Sequence, residues 1–122
     1  MAKILAVEDE ALVRMLIVET LADAGHTVLE AANGEDALAT VRETPDLEMI
    51  VTDVRMAKMD GFALAVAARA LYPKMCVLFM TGYMGTDMPS KVPNAKVLQK
   101  PFDPDELLVA IEAMLAGREN PA

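Results

Sequence analysis

Five polar residues whose types could work together are spread across most of this chain: Glu8, Asp9, Asp53, Thr81 and Lys100. Three carboxylates in one place repel one another, and some would hold their protons more tightly unless a cation neutralises them. An all-oxygen donor set of this kind suits Mg²⁺, which binds through one or two carboxylates plus phosphate oxygens and keeps several waters. A lysine can offset a further charge and hold a phosphate oxygen as a point charge. A threonine hydroxyl can donate to a second oxygen. A carboxylate nucleophile beside a divalent ion, a lysine and a hydroxyl is a phosphoryl-transfer arrangement, in which positioning and charge neutralisation supply most of the catalysis. Taken singly, each residue says little. Acids after a strand usually cap a helix or face water, and an isolated Thr-Gly or Lys-Pro is usually a turn. The weight rests on whether one scaffold brings all five together.

The chain alternates strand and helix in a way that does so. Ile4 to Val7 is a short apolar run stopped by Glu8-Asp9-Glu10, the mark of a strand buried on both faces. Helical spacing follows from Ala11 to Ala24, with Leu12, Met15, Leu16 and Leu21 expected on the core face and Gly25 as the stop. Thr27 to Ala31 reads as a second strand. Asn33-Gly34 turns the chain into a helix near 35–43, with Asn33 able to cap it. Leu47 to Thr52 reads as a third strand ending at Asp53. Asp60-Gly61 opens a helix running to about Leu71. Cys76 to Met80 and Ala95 to Leu98 read as the fourth and fifth strands. Asp103-Pro104-Asp105-Glu106 combines a capping acid, a proline at the first helical position and a glutamate three residues after the cap, so it starts the last helix. Leu107, Leu108, Ile111, Met114 and Leu115 continue it. Five such βα units in a single 1–122 domain imply a doubly wound α/β fold, flavodoxin-like, with a five-stranded parallel sheet and helices on both faces. The natural strand order is 2-1-3-4-5, and its crevice lies at the carboxyl ends of the strands. Glu8, Asp9, Asp53, Thr81 and Lys100 all fall at those ends.

Composition narrows the remaining classes. Hydrophobic residues make up 54% and charged residues 25% of the 122 residues, a globular balance rather than a disordered one. The net charge of −8 leaves no basic stripe for direct nucleic-acid binding or for an anionic membrane. No run approaches the roughly 20 apolar residues of a membrane span, and no secretory leader is visible. The single cysteine, Cys76, cannot form an internal disulfide. It reads as an inert buried thiol in a reducing, cytoplasmic setting. His26 sits in the turn after the first helix with no evident partner and reads as a turn or surface residue.

At this point the chain closely resembles the receiver domains of bacterial response regulators. The resemblance is carried by Ile-Leu-Ala-Val-Glu-Asp-Glu at 4–10, Asn-Gly-Glu-Asp-Ala-Leu at 33–38, Val-Thr-Asp at 51–53, Met-Asp-Gly-Phe at 59–62, Thr-Gly-Tyr at 81–83 and Lys-Pro-Phe at 100–102. It implies that Asp53 accepts a phosphoryl group from a phosphohistidine on a histidine kinase or a phosphotransfer protein. It implies a Mg²⁺ site formed by Glu8, Asp9, Asp53 and the backbone carbonyl of Arg55. It gives Thr81 and Lys100 the task of sensing the phosphoryl group, and it implies a cis Lys100–Pro101 bond. The implied output is a conformational change read by a downstream protein partner, with a homodimer also compatible. No enzyme activity beyond the domain's own phosphorylation and dephosphorylation is expected. The chain also shows no output domain, so it reads as a stand-alone regulator, a relay, or a receiver taken from a hybrid kinase or longer regulator.

Three positions depart from the family pattern. Val97 stands where an aromatic residue usually precedes the lysine by three, so a ring swinging inward there cannot be the readout. Met56 is followed by Ala57 rather than proline. The stretch from Gly82 to Ala95 contains Gly85, Pro89 and Pro93 and looks short for a helix. Arg55 and Tyr83, at positions that border the phosphoryl group in the family, are candidate gates against water. Tyr83 and the following Met84–Val92 segment are the next candidates for the switch, and Met84 and Met88 for a partner surface. An aspartate-nucleophile phosphatase of the haloacid-dehalogenase type would instead carry Asp-x-Asp after its first strand. Here the acceptor follows the third strand and Arg55 occupies the second position. A flavodoxin-like cofactor binder would need a phosphate-cradling loop where Glu8-Asp9-Glu10 stands. A degenerate receiver acting only as a binding module would not be expected to keep all the acids with Thr81 and Lys100.

Overall fold

The computed structural model describes residues 2–56, 58–82, 92 and 94–119. Its elements are β1 (Lys3–Val7), α1 (Ala11–Asp23), β2 (Thr27–Ala31), α2 (Gly34–Glu43), β3 (Met49–Asp53), α3 (Gly61–Leu71), β4 (Cys76–Thr81), β5 (Lys96–Gln99) and α4 (Pro104–Glu119). The strands form one sheet in the order β2-β1-β3-β4-β5, and every pairing is parallel. This is the flavodoxin-like, doubly wound arrangement expected from the alternation of apolar runs. Strand ends differ from expectation by one or two residues. Most usefully, β3 ends on Asp53 and β4 on Thr81, so both residues belong to the strands themselves. The expected segment for a further helix, with Tyr83, Met84 and Met88, lies outside the described residues.

The sheet is buried on both faces because its strands carry apolar side chains at consecutive positions. Leu5, Val7, Ile50, Val77 and Phe79 point to one face and pack with Ala37, Leu38 and Val41 of α2 and with Leu64, Ala65 and Ala68 of α3. Ile4, Ala6, Met49, Val51, Leu78 and Met80 point to the other and meet Ile17 and Leu21 of α1 and Leu107, Ile111 and Leu115 of α4. Each fully buried Val, Leu, Ile, Met or Phe side chain among them is worth about 1.5–3 kcal/mol of transfer free energy. The caps behave as their residue types predict. Asn33 Oδ1 accepts from the Asp36 amide at 2.9 Å, and Asp60 Oδ1 accepts from the Ala63 amide at 2.8 Å. Asp103 and Glu106 exchange a reciprocal pair of 2.9 and 3.3 Å, the capping box read from the sequence.

Three expectations are corrected. Leu12, Met15 and Leu16 do not face the core: they are 77%, 50% and 50% exposed. Helix α1 is apolar over most of its circumference, so spacing alone did not select a face. The crossover packs the Ile17–Leu21 stripe onto the sheet, with Val13 and Val18 partly covered. His26 is not a surface residue but is buried. Its Nδ1 accepts from the Ala2 amide at 3.1 Å, and its Nε2 lies 3.1 Å from Glu112 Oε1 on α4. Because Nδ1 accepts, the ring proton sits on Nε2 and points at Glu112. Both partners are distant in sequence, so only the tertiary fold supplies them. Cys76 is half-buried rather than sealed in the core.

Candidate functional site

The register of the sheet assembles the site. Val7 pairs with Thr52, which puts Glu8 level with Asp53 at the carboxyl edge of the two central strands. Asp53 pairs with Met80, and Thr81 pairs with Gln99, so Thr81 and Lys100 follow on the adjoining strands. One carboxylate oxygen from each of Glu8, Asp9 and Asp53 lies within 4.8 Å of the others. Lys100 Nζ donates to Glu8 Oε1 at 2.8 Å and to Asp53 Oδ2 at 3.0 Å. The Lys100 amide donates to the Thr81 carbonyl at 2.7 Å, which ties the ends of β4 and β5 together. The Lys100–Pro101 bond is cis.

Electrostatics follow from burial. Glu8 is 1% exposed. Loss of water raises its pKa above the ordinary glutamate value, with the Lys100 hydrogen bond opposing that rise. Burial alone would lower the Lys100 pKa, but its hydrogen bonds to Glu8 and Asp53 outweigh this and hold it above the usual lysine value. Lys100 is therefore a firm cation among three acids. The donor set fits a hard divalent ion: it is all oxygen, carboxylate-rich and partly open through the exposed Asp9.

The end of β3 at Asp53 and the loop that follows it are held by backbone contacts. Thr52, fully buried, donates its hydroxyl to the Asp53 carbonyl at 2.9 Å. The Val54 amide donates to Met80, and the Gly61 amide donates to Val54 at 2.8 Å. A Cβ at Gly61 would strike the Asp53 carbonyl oxygen and lie 3.1 Å from Val54 Cα. A Cβ at Gly34 would strike the Met59 carbonyl and lie 2.7 Å from Met59 Cβ. The two glycines thus let α2 and α3 close onto the backbone of this loop.

A sequence model of the response regulator receiver domain matches residues 4–112. The chain belongs to the receiver domain family. Among curated relatives, the receiver protein CpdR of Brucella abortus is 36% identical over 94% of this chain and 98% of its own length. The sensor kinase CckA of the same organism is 37% identical over 97% of this chain, which spans 13% of that kinase. Among solved structures, the chemotaxis protein CheY4 of Vibrio cholerae is 34% identical, with a TM-score of 0.86 over 93% of this chain and 98% of CheY4. The receiver domain of the hybrid histidine kinase CckA is 33% identical, with a TM-score of 0.83 over 93% of this chain and 99% of that domain. As a receiver, this chain is a phosphoacceptor module of two-component signalling, and the phosphatase reading finds no support among these relatives.

Of the residues singled out in this receiver's sequence, Glu8, Asp9, Asp53 and Lys100 meet in one crevice, with Thr81 buried on the neighbouring strand end. Arg55 is exposed in the loop after Asp53. Val97 lies on β5 opposite Phe79 and is 46% exposed. Tyr83 is outside the described residues. Sequence reasoning missed the supporting roles of Thr52, Gly61 and Arg14. Gly61 carried a readable signal: glycine is a poor helix former, and a glycine directly after a helix cap suggests a close backbone approach. Arg14 carried none, because its partners are the backbone of Glu8 and the side chain of Glu30.

Proposed function

We propose that Asp53 is the phosphoacceptor and that Glu8, Asp9 and Asp53, with the Arg55 carbonyl, hold Mg²⁺ during the transfer. The observation that supports this most is Lys100 Nζ bridging Glu8 and Asp53 at the carboxyl edge of the sheet, with Asp9 beside them. A carboxylate oxygen of Asp53 attacks the phosphorus of a phosphohistidine. The new O–P bond forms as the P–N bond breaks, and the departing imidazole keeps the bond's electron pair. Mg²⁺, when bound, supplies Lewis-acid neutralisation of the charge on the phosphoryl oxygens. Lys100 offers its ammonium to one of those oxygens, and Thr81 offers its hydroxyl to another. The resulting acyl phosphate signals by conformational change to a protein partner.

The donor is a histidine kinase or phosphotransfer protein, and α1 supplies the surface it would meet. The helix starts two residues after Asp9, and its exposed Leu12, Met15 and Leu16 form an apolar stripe beside the acids. A partner that delivers a phosphohistidine to Asp53 must lie against this side of the crevice. A cytoplasmic location follows from such a donor, and no helix among the described residues is long and apolar enough to cross a membrane.

Acetyl phosphate with Mg²⁺ tests the assignment. One base-labile phosphoryl group should appear on the wild-type chain and be absent from Asp53→Asn. Equal labelling of the two proteins would refute it.

A further inference from the structure

Arg14 lies one turn into α1, and two of its nitrogens are committed. Nη1 donates to the main-chain carbonyl of Glu8 at 2.8 Å, and Nε donates to Glu30 Oε1 at 3.0 Å. The Arg14 side chain is 20% exposed and that of Glu30 55%. The segment thus spanned, Glu8 to Glu10, carries two of the three acids of the site.

This junction lacks the fastening used at the other helices. Glu10 occupies the N-cap of α1 but makes no side-chain cap hydrogen bond, and the first turn contains no acid. The other three helices start on Asn33, Asp60 and Asp103, each of which accepts from a backbone amide of its first turn. Of the acids that precede α1, Glu8 and Asp9 are instead turned toward Asp53. The Glu8 amide donates to Ala31, and the Glu10 amide donates back to Glu8 Oε2. Among the described residues, Arg14 supplies the side-chain tether that reaches this segment's main chain from the helix.

The peptide bond explains why a carbonyl contact matters for the acids. The Glu8 carbonyl and the Asp9 amide share one rigid plane. Fixing the oxygen end of that plane fixes the direction in which Asp9 leaves it, and with it the approach of the Asp9 carboxylate to Glu8 and Asp53. The guanidinium is suited to the task because its donors sit in a fixed planar fork. One tine holds the carbonyl while another is anchored by Glu30 at the end of β2. A lysine offers a single flexible ammonium and cannot hold both at these angles.

We propose that Arg14 is a positioning residue of the acid site, with Glu30 as its anchor: it sets the β1–α1 junction so that Glu8 and Asp9 converge with Asp53 on a divalent cation. This rests on the metal-binding reading of the three acids. Because Glu30 is more than half exposed, its ion pair with Arg14 contributes little to global stability, so the effect should fall on the site rather than on the fold.

The experiment uses the full chain and Mg²⁺ alone, titrated by amide chemical shifts, with urea unfolding in parallel. Wild type, Arg14→Met, Arg14→Lys and Glu30→Gln are compared. Arg14→Met should bind Mg²⁺ about tenfold more weakly, as losses of residues that orient metal ligands commonly do, with its urea midpoint close to wild type. Arg14→Lys should recover only part of the affinity, and Glu30→Gln should show a smaller loss. Wild-type affinity in a folded Arg14→Met would overturn the proposal. If Arg14→Met fails to fold, wild-type affinity in Arg14→Lys would overturn it equally. A wild-type chain that shows no saturable Mg²⁺ binding would overturn the metal reading itself, and Arg14's role with it.

Discussion

Replacing Gly61 by alanine should cost both stability and phosphorylation rate. Helix propensity predicts the opposite, since alanine in place of glycine near the start of α3 would stabilise an unconstrained helix by up to about 1 kcal/mol. Gly61 has no positive φ, so no conformational penalty opposes the change. What opposes it is space. The new Cβ would collide with the carbonyl oxygen of Asp53, with the Asp53 carbonyl carbon and Val54 Cα both at 3.1 Å. None of these atoms is the end of a flexible side chain. Restoring ordinary contact requires the end of β3 and the start of α3 to separate by roughly 1 Å. That separation strains the Gly61–Val54 hydrogen bond of 2.8 Å and displaces the backbone on which the Asp53 carboxylate is mounted. Overpacking of this kind typically costs about 1–3 kcal/mol. A misplacement of a reacting group by about 1 Å can cost on the order of a hundredfold in rate. Urea unfolding measures the first and acetyl phosphate labelling the second. An alanine variant at least as stable as wild type, labelled at the wild-type rate, would refute the argument from close backbone approach.

Lys100→Met should destabilise the chain by about 1–3 kcal/mol, because it strands the buried Glu8 beside Asp53 while partial exposure of the site moderates the loss. Burial already raises the Glu8 pKa against the opposing Lys100 hydrogen bond. Without that hydrogen bond the folded state holds the Glu8 proton to higher pH than the unfolded state does, so stability falls as pH rises from the ordinary carboxylate range through the folded value. Urea melts in EDTA from about pH 5 to about pH 8 should therefore decline more steeply than for wild type; equal slopes would count against an uncompensated Glu8. Leu16→Glu, on the exposed face of α1, should change stability by no more than about 0.5 kcal/mol and leave acetyl phosphate labelling intact. It should slow phosphotransfer from a cognate histidine kinase about tenfold, the cost of burying an unpaired charge in an apolar contact. Unaltered transfer from the kinase would remove α1 from the docking surface.

Much of this receiver was legible in the amino-acid order because its signals are local. Apolar runs of four to six residues cut off by Glu8 or Asp53 mark strands sealed on both faces, and the alternation with helical segments leaves a parallel sheet as the way to bury both. Asn33, Asp60 and Asp103 announce their helices because a cap acts within three residues of itself. The strand order and the meeting of Glu8, Asp9, Asp53 and Lys100 follow once those elements are ordered, since the carboxyl ends of adjacent parallel strands share one edge. Tertiary structure decided what depends on contacts between distant segments. Helix α1 is apolar nearly all round, so only its packing against β1, β2 and α4 could choose Ile17 and Leu21 for burial and leave Leu12, Met15 and Leu16 outside. His26 finds its hydrogen-bond partners in Ala2 and Glu112, and Arg14 finds one of its own in the main chain of Glu8. A backbone carbonyl is present at every position, so no residue type in the sequence marks the one that a side chain will hold.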